Sequence, residues 1–234
     1  GYAQFAKVNG DFLVQKPKEL SSKHSMILGT AGLTALQCAF VAKLTREELL
    51  LGEKVQDVIV TGASGGVGSI AVMILNKLGC NVTAVTSKDS NHDYLKSIGA
   101  KNFINTSELM KDSRPLDKGL WDGAVDTVGG QVLSNVLAQT KESGIVASCG
   151  NAADNKLNTT VMPFIIRGVK LWGINSVNVS HVRRKFLWNE ASKLLDFNLL
   201  SNSVKEISLE EVLDIYPKML KGETTGRYII DLNK

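Results

Sequence analysis

The sequence predicts an α/β fold built on a doubly wound parallel sheet, and three observations carry that expectation. From Val58 onward, short β-branched runs alternate with amphipathic segments at helical spacing. Repeated strand–helix–strand units of this kind imply a parallel sheet with right-handed crossovers. A glycine-rich stretch, residues 61–68, joins the first of these runs to the first helical segment. The chain of 234 residues, 44% hydrophobic and 21% charged, is long enough for one large domain with a sizeable core and is not compositionally biased towards disorder.

Taken in order, Tyr2 to Val14 reads as two short strands around Asn9-Gly10, a dipeptide that favours a tight hairpin, and Pro17 breaks the pattern. A helical region from about Ser22 to Leu44, interrupted by Gly29 and Gly32, is expected to be a connector. Six strands follow: Val58–Thr61, Val82–Thr86, Phe103–Ile104, Ala124–Thr127, Ile145–Cys149 and Val169–Ile174. Between the first two, Val67, Ile70, Ala71, Ile74, Leu75 and Leu78 recur at helical spacing, and Gly79 ends that helix. A second helix spans about Asn91 to Ile98, stopped by Gly99, and a third follows Gln131. Near the end, Ser208-Leu209-Glu210-Glu211 is a capping box opening a short helix, which Pro217 is expected to kink. Tyr228–Leu232 reads as a strand. Together with the hairpin it suggests parts of a second, smaller sheet.

Composition excludes several classes of function. The net charge is +4, but the basic residues are scattered; the longest cluster, Arg183-Arg184-Lys185, fits a solvated helix face better than a nucleic-acid surface. Cys38, Cys80 and Cys149 are odd in number and far apart, which argues for a reducing compartment and a cytoplasmic location. No apolar run reads as a membrane span, and no signal peptide pattern is present. His24, His92 and His181 have no second ligand at metal spacing, so neither a catalytic nor a structural zinc is expected. Gly1 stands where an initiator methionine would, which leads to the expectation of a fragment, a processed product or an incomplete chain.

The turn Thr61-Gly62-Ala63-Ser64-Gly65-Gly66-Val67-Gly68 follows a β-branched strand and opens an apolar-faced helix, the context in which a glycine pattern signals a dinucleotide-binding Rossmann unit. Gly65 admits the backbone close to a pyrophosphate, Gly68 allows the helix to pack on the strand, and the free N–H groups and dipole of the helix start favour the phosphate charge. Ala63 occupies the usual first glycine position. A Walker A loop is disfavoured because Ser69-Ile70, not Lys-Ser/Thr, follows Gly68. The short-chain dehydrogenases need a Tyr with Lys four residues on, and none of the four tyrosines has one. The medium-chain dehydrogenase/reductases remain. At the end of the second strand, NAD enzymes place an acid for the ribose 2′-hydroxyl; here the end is Thr86-Ser87-Lys88, which suits the 2′-phosphate of NADPH, with Asp89 just beyond weakening that reading slightly.

Several segments carry a closer resemblance: Gly29-Thr30-Ala31-Gly32, the glycine turn, residues 94–100, Ala124-Val125-Asp126-Thr127-Val128-Gly129, Thr160 to Gly168 through Val161-Met162-Pro163-Phe164-Ile165, and Gly226-Arg227. The chain resembles the YhdH/YhfP-type quinone oxidoreductases, also called acryloyl-coenzyme A reductases, which are zinc-independent medium-chain dehydrogenase/reductases. The resemblance implies a Rossmann domain with a GroES-like β-rich catalytic domain, remnants of which would lie at both ends: 1–28 and 201–234, flanking a nucleotide-binding domain at 29–200. It implies NADPH as cofactor, hydride transfer to a quinone, enone or enoyl thioester, and dimerisation through the edge strand at Val169–Ile174. Carried onto this chain, Ser64, Gly65, Gly66 and Val67 would meet the pyrophosphate; Thr86, Ser87 and Lys88 the 2′-phosphate; Asn151 the nicotinamide side; and Ile165 and Ser176 would line later loops. The N-Y-K-D-type stretch of the family is absent, so no catalytic side chain is named and most of the catalytic side of the cleft is expected to be missing. The alternative is a module that binds NADPH as a sensor, or RNA, without turnover.

Overall fold

The computed structural model describes residues 2–112 and 114–234. Gly1 and Ser113, which fall within the segments 1–28 and 29–200, lie outside the described residues. Among the described residues, eight strands form two sheets. β1 (Asp57–Val60), β2 (Asn81–Thr86), β3 (Ala100–Asn105), β4 (Trp121–Asp126), β5 (Thr140–Ser148) and β6 (Lys170–Gly173) make one six-stranded parallel sheet in the order β3-β2-β1-β4-β5-β6. β7 (Val204–Ile207) pairs in parallel with β8 (Arg227–Ile230) as a separate ribbon. The expected six strands are all present, each within a few residues of its sequence bounds.

Nine α-helices accompany them among the described residues: α1 (Ser22–Ala39), α2 (Arg46–Leu49), α3 (Gly66–Lys77), α4 (His92–Ser97), α5 (Gly130–Ala138), α6 (Met162–Arg167), α7 (His181–Leu194), α8 (Phe197–Ser201) and α9 (Val212–Leu220). Both faces of the large sheet are covered, and this explains its strand composition. Val58, Val60, Val82, Ala84, Val125, Ile145 and Ala147 point into one core with α1, α3 and α7. Ile59, Val85, Ala124 and Val146 point the other way, into a second core with α5. Alternate residues face opposite sides of a strand, so a strand buried on both faces reads as one continuous apolar run.

Three expectations need correction. Residues 2–13 contain no strand. Asn9 instead caps a short 3₁₀ turn, Gly10–Phe12, accepting from the Asp11 N–H at 3.0 Å. Tyr2, Phe5, Val8, Phe12 and Leu13 are exposed, and two strands with no apolar face to pack are marginal in water. The last strand therefore finds its partner in β7, a strand that sequence reasoning missed. The segment 22–44 is a core element and not a connector. α1 bends at Gly29 (φ 46, ψ −147), continues through a π-helical turn, Phe40–Thr45, into α2, and buries Leu28, Leu33, Leu36 and Cys38 against α3. By length and composition the whole stretch Ser22–Leu49 could cross a membrane, contrary to the sequence reading, yet 67% of its most apolar window is buried in the protein. The Ser208–Glu211 capping box is formed, with the Ser208 N–H on Glu211 Oε2 at 2.7 Å and the Glu211 N–H on Ser208 Oγ at 3.4 Å. α9 then runs through Pro217 to Leu220.

Candidate nucleotide-binding crevice

Strand order reverses between β1 and β4, and in open α/β sheets ligands bind outside the carboxyl ends of the strands at such a switch point. β1 delivers the glycine turn there. Gly62 adopts φ +57, and a Cβ on it would lie 2.3 Å from Thr127 Oγ1. Gly68 has ordinary helical geometry, but its Cβ would meet the Gly62 carbonyl oxygen at 2.3 Å and Ala63 Cα at 2.7 Å. The helix start thus lies directly on the turn, which only glycine permits. Gly65 is the N-cap of α3 and no side chain caps this end. The first-turn amides of Gly66, Val67 and Gly68 are left as donors, and with the helix dipole they make an anion site.

The ends of the strands are fastened by a buried carboxylate. Asp126, the last residue of β4, is fully buried. It accepts from Thr61 Oγ1 at 2.7 Å, from the Gly129 N–H at 3.1 Å, from the Val128 N–H at 3.4 Å and from Ser148 Oγ at 3.4 Å. Thr61 Oγ1 in turn accepts from the Thr127 N–H at 3.0 Å. Burial raises the carboxyl pKa from its ordinary value, and the four donors oppose that shift. Sequence reasoning quoted Asp126 within a family segment but gave it no role, and a lone Asp at a strand end carries no local signal of this network.

The β2 end closes one side of the crevice. Thr86 is buried, its Oγ1 3.4 Å from Ser64 Oγ and accepting the Lys88 N–H at 3.3 Å, while Ser87 is exposed. Lys88 Nζ donates to the Gly222 carbonyl at 2.9 Å. Its ammonium is therefore held over the crevice edge by the C-terminal segment, keeping two further N–H donors. The same segment bonds the turn itself, through the Gly226 N–H on the Ser64 carbonyl at 3.0 Å, and reaches Asn91 through Thr225 at 3.3 Å.

The residue that follows, Arg227, was missed as a site residue. Its guanidinium is partly buried against the α3 N-terminus: Nη1 would be 2.9 Å from a Cβ placed on Gly66. Nε donates to the Ile27 carbonyl at 2.9 Å, in the turn of helix before the α1 bend. Among the described residues no carboxylate lies within salt-bridge distance of it. Burial lowers its pKa from the ordinary arginine value, although arginine remains charged in proteins. An uncompensated cation beside an uncapped helix start is what a pyrophosphate fits. The small cradle at Gly66 and a guanidinium with no carboxylate partner among the described residues fit a dinucleotide.

The structure gathers Ser64, Gly65, Gly66, Val67, Thr86, Ser87 and Lys88 on one side of the switch point. Asn151 is exposed on the loop after β5, which lies along residues 127–130 through the Ala153 N–H on the Val128 carbonyl at 2.9 Å. Ser176 follows β6 at the same edge of the sheet, its carbonyl accepting from Arg184 at 3.4 Å. Ile165 is not brought to them. It is 68% exposed on α6, two residues before Arg167, whose Nη1 donates to the carbonyls of Ala138 and Thr140 at the start of β5.

His24 and His92 stack on Phe197 and Phe103. Cys38, Cys80 and Cys149 are free thiols. Among the described residues no three His, Cys, Asp or Glu side chains cluster as metal ligands. A hollow of about 490 Å³, lined by Met73, Asn76, Ser97, Lys193 and Phe197, lies at the far end of α3 and takes no part in the crevice.

Known proteins agree with this geometry. Residues 66–196 match the family model described as zinc-binding dehydrogenase. An Escherichia coli K-12 protein named provisionally as an acrylyl-CoA reductase, AcuI, is 42% identical over 233 residues, covering 100% of this chain and 70% of that protein. The crystal structure of the yhdH oxidoreductase from Salmonella enterica in complex with NADP superposes with a TM-score of 0.91 at 43% identity, over 97% of this chain and 68% of that one. The Bacillus subtilis protein YhfP, named provisionally as a quinone oxidoreductase and crystallised with NAD bound, gives a TM-score of 0.87 at 40% identity over 97% of this chain and 68% of that one. The chain belongs to the medium-chain dehydrogenase/reductase family, within its YhdH/YhfP group.

Proposed function

We propose that this chain binds NADPH in the crevice at the β1–β4 switch point and serves an NADPH-dependent reduction of an activated alkene or a quinone. The observation that carries this reading is the uncapped α3 N-terminus with Arg227 beside it and a hydroxyl–lysine set, with no acid at the strand terminus, at the end of β2. Ser64, Gly65, Gly66, Val67 and Arg227 would hold the pyrophosphate, and Thr86, Ser87 and Lys88 the 2′-phosphate. Asn151 and Ser176 would flank the nicotinamide half. Bound NADPH would supply the hydride. The protein's part is to position the cofactor and exclude water, the usual division of labour in cofactor enzymes. Two yhdH relatives were crystallised with NADP or NADPH and YhfP with NAD, and this chain's own β2 end favours NADPH.

Titration of intrinsic fluorescence tests the cofactor assignment. NADPH is expected to bind more tightly than NADH, and Lys88→Ala to reduce that preference roughly tenfold, the loss of one charge-assisted hydrogen bond. Equal affinity of the two nucleotides for the wild-type chain would remove the NADPH assignment. Oxidation of NADPH by an acryloyl thioester, an enone or a quinone is the matching activity assay. Failure with all three would leave the binding-only alternative.

We further infer that the segments 1–28 and 201–234 contribute to a β-rich unit beside the nucleotide-binding 29–200, supported by the separate β7–β8 ribbon and by the exposed Phe5, Phe12, Leu213 and Tyr216, with Ile27 and Leu28 at the start of α1 lying in the core of the nucleotide-binding unit. The three free thiols favour a cytoplasmic setting. A homodimer through β6 is part of the same reading. β6 is an unpaired edge carrying Leu171 at 37% and Trp172 at 45% exposure, with Ile165 on the neighbouring α6, and such an edge invites strand pairing with a second copy. Light scattering is expected to give twice the 25.3 kDa chain mass, and Trp172→Asp to give the monomer. A monomeric wild type would refute the edge pairing.

A further inference from the structure

Asp126 does more than fasten strand ends, because its charge is not cancelled. Every polar group around its carboxylate donates: two hydroxyls and two backbone N–H groups. Thr61 Oγ1 already accepts from Thr127, so its proton goes to Asp126. Four donors turned on one carboxylate favour its anion. No Lys, Arg or His lies within 4 Å of it among the described residues. The titratable groups facing it are the thiols of Cys149, at the end of β5, and Cys38, on α1.

Its place in the sheet gives this charge a direction. The 2′-phosphate residues lie at the end of β2, on one side of the switch point, so the nicotinamide half of the dinucleotide falls over the ends of β4 and β5 on the other. Asp126 is the last residue of β4. The reduced nicotinamide ring is neutral and the oxidised ring is cationic, so a fixed negative charge under that half discriminates between them. We propose that the Asp126 carboxylate is a positioning residue that shifts the cofactor equilibrium of this site, binding the oxidised nucleotide more tightly relative to the reduced one and so favouring hydride donation. This rests on the nucleotide reading above.

The test measures Kd for NADPH and for NADP⁺ with the wild-type chain, Asp126→Asn and Thr61→Val. Asp126→Asn is expected to weaken NADP⁺ more than NADPH, changing the ratio of the two Kd values by roughly five- to thirtyfold, the range for a unit charge acting over roughly 8–17 Å at an effective dielectric constant of about 20. Thr61→Val, which removes a hydrogen bond and keeps the charge, changes both affinities by the same factor. A second measurement needs no variant: in the wild type the same ratio moves towards the Asp126→Asn value as the pH is lowered and the carboxyl protonates, an effect of the 2′-phosphate cancelling between the two nucleotides. A ratio unmoved both by Asp126→Asn and by pH overturns the proposal and confines Asp126 to structure. A wild-type chain that binds neither nucleotide overturns it together with the nucleotide reading, so the two failures are distinguishable.

Discussion

Arg227→Ala is expected to weaken NADPH and NADH binding alike, by about 2–3 kcal/mol, or roughly 30- to 150-fold in Kd. The guanidinium is partly buried, spends only Nε on the Ile27 carbonyl, and has no carboxylate partner among the described residues. A buried cation without a partner is costly unless a ligand supplies the counter-charge. The first turn of α3, to which it is adjacent, offers its own free N–H groups to the same anion. Because the pyrophosphate is common to both nucleotides, the loss should not discriminate between them, in contrast to Lys88→Ala. Arg227→Lys should recover only part of the affinity, since an ammonium is a point charge without the planar fork. Calorimetric titration gives the affinities, and thermal melting of the free protein separates this effect from stability. The lost Ile27 bond should cost about 1 kcal/mol of stability. Unchanged affinity with a lowered melting temperature would make Arg227 a brace for the α1 bend and nothing more.

That Arg227 was overlooked shows where sequence legibility ends. The large sheet was readable because its central strands are buried on both faces and so appear as uninterrupted runs, such as Val58-Ile59-Val60. The glycine turn was readable because its chemistry is local: Gly62 needs positive φ and Gly68 needs close backbone approach within six residues. Arg227 reaches the turn from the other end of the chain, and nothing in its neighbourhood in sequence announces that contact. β7 was missed for the same reason, since a four-residue strand with two exposed positions has little periodicity to detect. The Asn9-Gly10 hairpin failed in the opposite way. A favourable turn dipeptide was present, but the residues on either side had no apolar surface to pack against. The α1 segment was taken for a connector because Gly29 and Gly32 weaken a helical pattern. In the fold, Gly29 makes the bend and Gly32 sits inside the helix where Leu28 leaves no room for a Cβ. Ile165 came from resemblance alone, and nothing in its sequence neighbourhood marks it as a site residue.

The largest expected effect on stability is at the other end of β4. Asp122→Ala should destabilise the fold by about 3–5 kcal/mol, the usual consequence of removing one partner from a buried ion pair, and lower the melting temperature by on the order of 10 °C for a chain of this size. Asp122 is 8% exposed. Its Oδ2 accepts the N–H groups of Gln56 and Asp57 at 3.0 and 2.9 Å, where β1 begins. Its Oδ1 lies 3.3 Å from Lys141 Nζ and 3.8 Å from Arg46 Nη2. Lys141 would keep Asp57 at 2.9 Å. Arg46 would keep only a carbonyl, that of Glu142 at 3.5 Å, and its Nε is already unsatisfied. Asp122→Asn should cost less, because the side-chain oxygen can still accept the β1 amides. A double change that removes both charges, Arg46→Met with Asp122→Leu, should recover stability relative to Asp122→Ala alone. A loss below about 1 kcal/mol for Asp122→Ala would instead put this network in the solvent-screened class of surface pairs. Nucleotide affinity should be unchanged in all of these folded variants, since Asp122 lies at the N-terminal end of the strand and the crevice at the C-terminal end. One strand thus carries two buried aspartates with opposite surroundings. Asp122 is met by cations, and its removal is felt by the fold. Asp126 is met only by neutral donors, which leaves its charge to act on whatever occupies the crevice above it.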